Sequence, residues 1–270
     1  MSTPLRHDAS SFAARSVWPM VAAIPLVLVL THYVAVLPHE FSHSITAWLV
    51  GIKPVPGDID WGGTGLWNIV ALAHIDENVD YDAALAAGKY WQVALVAFAG
   101  PGIGNAVPYL VTRWLFARGW MAARPWVSFI LFWYMFLCLA NLWDYVPLRT
   151  FADDGDVTHF REGWDISPWW IYAVVGALVL WTIVDLFRTV LPKAVVRFGF
   201  EAHPVARAAV LVTVVLVLFG YYAIPALEES DPVSLFMGRT SLLLVPVVLI
   251  ATWRRCVMGI SSPPVATASV

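Results

Sequence analysis

Between Val17 and Val50 the chain runs for 34 residues with one charged side chain, Glu40, which sits inside His39-Glu40-Phe41-Ser42-His43. An apolar run of this length fixes the class of fold. In lipid every backbone N–H and C=O must be paired within the protein, so a lone spanning segment is helical. About 20 apolar residues cross the hydrocarbon core, whereas 34 residues of helix reach about 51 Å. That is too long for one straight crossing. Pro38 removes a backbone donor and crowds the preceding turn, a natural place for a kink or restart, and the expected picture is a crossing helix that continues, bent, through HEFSH.

Similar runs recur, and the pattern predicts six spans at about 17–50, 90–117, 125–147, 168–191, 205–225 and 235–253. Only 13% of the residues are charged, against roughly 25% in a soluble domain, and the mean hydropathy is +0.71. The expected fold is an all-α polytopic membrane protein embedded in a lipid bilayer. No basic run suggests a nucleic-acid partner. Cys138 and Cys256 form neither a CxxC motif nor a disulfide framework.

Residues 1–16 read as a polar N-terminal segment. The apolar run after them has no small-residue cleavage site, so no cleavable signal peptide is expected. Residues 51–82 alternate in short runs punctuated by Gly and Pro, which predicts a small β-hairpin region at the membrane face between the first two spans. The tail, 254–270, reads as disordered. Asp185 and Arg188 read as a local salt bridge near the end of the fourth span.

Lys and Arg mark the cytoplasmic face of membrane proteins. Eleven of the sixteen basic residues fall on the face that carries both termini. This predicts cytoplasmic termini, with residues 51–89 and 148–167 outside.

His39 and His43 are four residues apart and so share one helix face, where both imidazoles can bind one zinc ion. Glu40 then lies beside the open coordination position. It can take a proton from water whose pKa zinc lowers to about 7, and pass it on to a leaving amine. Three ionisable groups in an apolar segment cost several kcal/mol unless they are paired, metal-bound or facing a cavity. His32, seven residues before His39 on roughly the same face, reads as a solitary buried or cavity-lining histidine, the alternative being a group that supports the ligands from behind. A third ligand must come from another segment, and the strongest source is Asp153, Asp154, Asp156 and His159, just after the third span. HEFSH ends the first span and this cluster ends the third, so both meet at one membrane face. In the second span, Ala99-Gly100-Pro101-Gly102 would let another backbone approach closely, and Asn105 adds an intramembrane amide.

HExxH on an early span, then AGP with a nearby Asn, then the stretch NLWDYVPLRTFADDGD at 141–156, resembles the site-2 protease family of intramembrane zinc metalloproteases. The resemblance covers residues from about 20 to 160 and divides the chain into a catalytic membrane core at 17–160 and three further spans in 161–253. It implies one zinc ion held by His39, His43 and Asp154, with Glu40 as catalytic base. Asp154 is favoured because Gly155 follows it, Asp153 and Asp156 being the alternatives. It also implies that Asn141 assists the transition state, and that Gly100, Pro101 and Asn105 lie near the substrate, itself a membrane protein.

Three departures stand out. Asn105 falls one residue later than the family's GPxxN spacing, which on an α-helix turns its side chain by about 100°. RTFAD is inserted before the DG pair. The charge bias opens the site to the outside, whereas the family generally places zinc nearer the cytosol.

The readings this leaves are an intramembrane endopeptidase in a bacterial plasma membrane, or a non-proteolytic relative serving as subunit or assembly factor of a membrane complex. A di-iron oxidase would need more clustered histidines than the seven dispersed ones here. Little beyond the intramembrane polar residues supports a transporter.

Overall fold

The computed structural model describes residues 16–72 and 74–259. The rest of the polar N-terminal segment and most of the expected tail lie outside the described residues. In chain order the helices are α1 (Trp18–Leu49), α2 (Leu66–Ala71), α3 (Tyr81–Ala86), α4 (Tyr90–Ala117), α5 (Pro125–Leu148), α6 (Asp156–Trp164), α7 (Pro168–Arg197), α8 (Pro204–Glu228) and α9 (Pro232–Met258). Six of them, α1, α4, α5, α7, α8 and α9, are long and apolar enough to cross a membrane. This is the architecture expected of a multi-pass membrane protein. Four of these six begin on proline, whose fixed φ and missing N–H suit the first helical position.

α5 is the central post. Phe129, Phe132, Trp133 and Phe136 are fully buried on it, with Phe132–Trp133 and Trp133–Phe136 ring centroids 5.2 and 5.8 Å apart. In lipid, close packing rather than escape from water holds helices together, and each such ring pair adds about 0.5–1.5 kcal/mol. Leu26, Leu30, Trp181, Leu243 and Ile250 face outward, as a lipid-facing surface requires.

α1 continues as one helix through Pro25 and Pro38 to Leu49, the continuation through HEFSH that the sequence led one to expect. Other expectations are corrected. The 51–82 region holds α2, part of α3 and a single antiparallel bridge, Asp60 to Asp76, with no β-hairpin among the described residues. The ladder stops because Gly62 and Gly63 take left-handed φ of 66° and 85°. Side chains also claim the carbonyls a ladder would use: Lys53 Nζ donates to Asp58 and Glu77 oxygens, and Asn68 Nδ2 to those of Trp61 and Gly63. α9 runs on to Met258, so residues 254–258 are helical rather than disordered. Asp185 pairs across helices with Arg113 at 2.9 Å instead of with Arg188.

The site is positioned by two close approaches to α4. Residues 99–106 form a wide π-helical turn against α1. A Cβ on Gly104 would lie 2.5 Å from the His39 Cα. On the other side, α6 packs on the start of α4, where a Cβ on Gly163 would meet the Tyr90 carbonyl oxygen at 2.4 Å. Small residues at both points let backbones touch, so α4 is held between the elements that carry HEFSH and the acidic cluster.

Candidate metal centre

His39 and His43 are buried on the inner face of α1, 4% and 0% exposed. Their Nε2 atoms are 3.1 Å apart. Their outer nitrogens are both occupied: His39 Nδ1–H donates to Asn105 Oδ1 at 2.7 Å, and His43 Nδ1–H donates to the Val96 carbonyl at 2.7 Å. The orientation of Asn105 is fixed independently, because its Nδ2 donates to the Ala35 carbonyl at 3.1 Å. With both Nδ1 protons so placed, both Nε2 atoms present lone pairs to a shared point. This is the tautomer a metal requires, set by an outer acceptor in the usual manner.

Asp156 supplies the third donor. Its Oδ2 lies 3.1 Å from His39 Nε2 and its Oδ1 3.2 Å from His43 Nε2, with the side chain 11% exposed. Asp156 Oδ2 has no hydrogen-bond donor. Two lone pairs and a carboxylate face one another, an arrangement that calls for a cation. A tetrahedral zinc ion with bonds of about 2.0–2.1 Å sets its ligands about 3.3 Å apart, close to the spacing found. His39, His43 and Asp156 are a group that could hold a metal ion, and two imidazoles with one carboxylate suit zinc. Gly100 closes one wall, where a Cβ would lie 2.0 Å from His43 Nε2.

The acidic cluster is sorted differently from the sequence expectation. Asp154, the favoured ligand, points outward with its side chain 88% exposed and pairs with His159 at 3.1 Å. Asp153 accepts from Ser230 Oγ at 2.5 Å. The cause is Gly155, whose φ of 101° turns the chain into α6, so that Asp156 enters as the first helical residue and faces α1. The glycine that favours Asp154 in the family resemblance is the hinge that delivers Asp156. His159 stacks on Tyr81, with ring centroids 4.1 Å apart, and is not in the donor group.

Asn105 is brought to the centre despite its late position. The π-helical turn at 99–106 absorbs the extra residue, so the 100° rotation expected on an α-helix does not occur. Pro101 lies in the same turn. Asn141 lines the cavity beside the site, but its Nδ2 is turned back to the Leu137 carbonyl at 3.1 Å.

That cavity is about 780 Å³ and is lined by Glu40, His39, Glu77, Asp144, Tyr145 and Asp156 among others. Glu40 is 8% exposed. Sequence reasoning missed Tyr145, whose O–H donates to His39 Nε2 at 3.0 Å. It also missed Arg149, which joins Asp144 at 3.6 Å to Glu229 at 2.7 Å. The spacing of Tyr145 from Asn141, four residues and hence one helix face, was the available signal. His32 lines the cavity as expected, with Nε2 2.8 Å from the Ala71 carbonyl. A smaller apolar groove of about 210 Å³ adjoins the cavity and shares His32, Trp67, Ala71 and Tyr221 with it.

Comparison with protein-family models, with curated proteins and with solved structures found no match to this chain.

Proposed function

We propose that the chain is an intramembrane zinc metalloendopeptidase that hydrolyses a peptide bond in or next to a transmembrane segment of a substrate membrane protein. In this reading it sits in a bacterial plasma membrane with cytoplasmic termini. The carrying observation is the convergence of two inward-facing imidazole lone pairs and the Asp156 carboxylate beside Glu40, inside a polar cavity lined in part by the long apolar helices α1, α5 and α8.

His39, His43 and Asp156 would hold the ion. Zinc there would supply a hydrolytic water activated at neutral pH and polarisation of the scissile carbonyl. Glu40 follows His39 on α1 and lines the same cavity, so it is placed to accept a proton from the attacking water and deliver it to the leaving amine nitrogen. The polar cavity admits water to a site otherwise walled by apolar helices. The adjoining apolar groove, lined by Leu28, Val29, Val70 and Val217, gives an apolar substrate segment a route from the lipid side.

The test is Glu40→Gln in the full-length protein, co-expressed with single-span membrane substrates whose products are mapped by mass spectrometry. Zinc content equal to wild type with cleavage abolished is expected. Cellular function that survives Glu40→Gln, with stable co-purification in a membrane complex, would instead support the non-proteolytic subunit reading.

A further inference from the structure

The Tyr145 hydroxyl is directed at the metal-facing edge of His39. Its oxygen is 3.0 Å from Nε2, and its ring lies parallel to the imidazole, 6° between planes with centroids 5.2 Å apart. The His39 Nδ1 proton is already given to Asn105, so Nε2 accepts from Tyr145 only while its lone pair is free. A bound ion takes that lone pair. Asp156 Oδ2, which has no donor, is not reached by the hydroxyl either. Loading the centre therefore frees the Tyr145 proton at the rim of the site, next to where a reacting oxygen must lie.

We infer that Tyr145 is a catalytic residue. Its hydroxyl donates a hydrogen bond to the carbonyl oxygen of the scissile peptide as negative charge builds on that oxygen. This inference rests on the metallopeptidase reading. It moves to Tyr145 the task that the family resemblance gives to Asn141, which lies one turn earlier on the same face of α5 and turns its Nδ2 back to the Leu137 carbonyl. A preorganised donor at such a position is worth roughly 100- to 1000-fold in kcat. The parallel packing on His39 gives the phenol a fixed approach, so little reorganisation is needed during reaction.

The experiment compares wild type with Tyr145→Phe, both full-length and loaded with cobalt, whose visible spectrum reports the ligand set. Two probes are titrated: a dipeptide phosphonate, which offers tetrahedral anionic oxygens, and a dipeptide thiol of the same side chains, which coordinates through sulfur. The expected result is unchanged cobalt stoichiometry and spectrum, phosphonate affinity lowered by roughly tenfold to a hundredfold, and thiol affinity within about twofold. Equal losses for both probes would mean a structural role and overturn the inference. So would unchanged phosphonate affinity. A changed cobalt spectrum would make Tyr145 a ligand and overturn it as well. A wild type that takes up no cobalt, or takes it up and binds neither probe, overturns the metallopeptidase reading and this inference together.

Discussion

His39 Nδ1–H donates to Asn105 Oδ1 at 2.7 Å, across the contact between α1 and the wide turn of α4. This bond fixes the tautomer that leaves Nε2 free for a metal. Outer partners of ligating histidines typically set metal affinity by 10- to 100-fold. Asn105→Leu removes the acceptor and orphans a buried N–H, at a cost of about 1–3 kcal/mol. Zinc affinity, measured by competition with a chromophoric chelator, is expected to fall by roughly tenfold or more. An affinity within twofold of wild type would show that Asn105 does not orient His39.

The ligand assignment separates two neighbouring aspartates. Asp156→Ala removes a donor 3.1 and 3.2 Å from the two imidazoles and is expected to abolish metal retention through purification. His43→Ala should do the same. Asp154→Ala removes an exposed carboxylate paired with His159 and should leave metal content near wild type. Exposed pairs of this kind contribute about 0–1 kcal/mol. Metal analysis of the three variants side by side decides the assignment, and the reverse pattern would restore Asp154.

How far the sequence reached follows from what each residue's role depends on. The six spans and the HEFSH face follow from local composition and helical periodicity, and the structure has both. The meeting of HEFSH with the acidic cluster follows from counting crossings. The identity of the aspartate does not, because it depends on the φ of Gly155, and no pattern of neighbours reveals that angle. Asn105 illustrates the same limit: a one-residue insertion reads as a rotated side chain only if the helix stays α, and here it widens to π. The Val96 carbonyl that holds His43 carries no side-chain signal. Alternation at 51–82 is not enough to make hairpins, because Lys53 and Asn68 compete for the backbone oxygens a ladder would use.

Gly100 and Gly104 lie four residues apart against α1, and their substitution should have different consequences. Gly104→Ala presses a Cβ against the His39 Cα at 2.5 Å and its N at 2.9 Å. Overpacking of this kind costs about 1–3 kcal/mol, read as a lower melting temperature in detergent. Gly100→Ala instead drives a Cβ to 2.0 Å from His43 Nε2, into the donor group itself. It should lose metal more completely than Gly104→Ala does. Equal metal retention by both variants would contradict the placement of Gly100 beside the ligands.

Gly163 offers a test of how the third donor is positioned, since it touches no ligand. It lies seven residues beyond Asp156 on α6, about 10 Å along the helix. A Cβ there would stand 2.4 Å from the Tyr90 carbonyl oxygen, 2.6 Å from the Ala94 nitrogen and 2.8 Å from the Ala94 Cβ. Gly163→Ala must therefore push α6 away from α4, carrying Asp156 from His39 and His43. Zinc affinity is expected to fall by tenfold or more, since disturbing even the outer partners of metal ligands costs that much and here a ligand itself is shifted. Adding Ala94→Gly removes only the 2.8 Å contact and leaves two backbone atoms in the way, so the double variant should not recover affinity. Recovery by Ala94→Gly would mean that side-chain crowding, and not backbone contact between α4 and α6, sets the reach of Asp156.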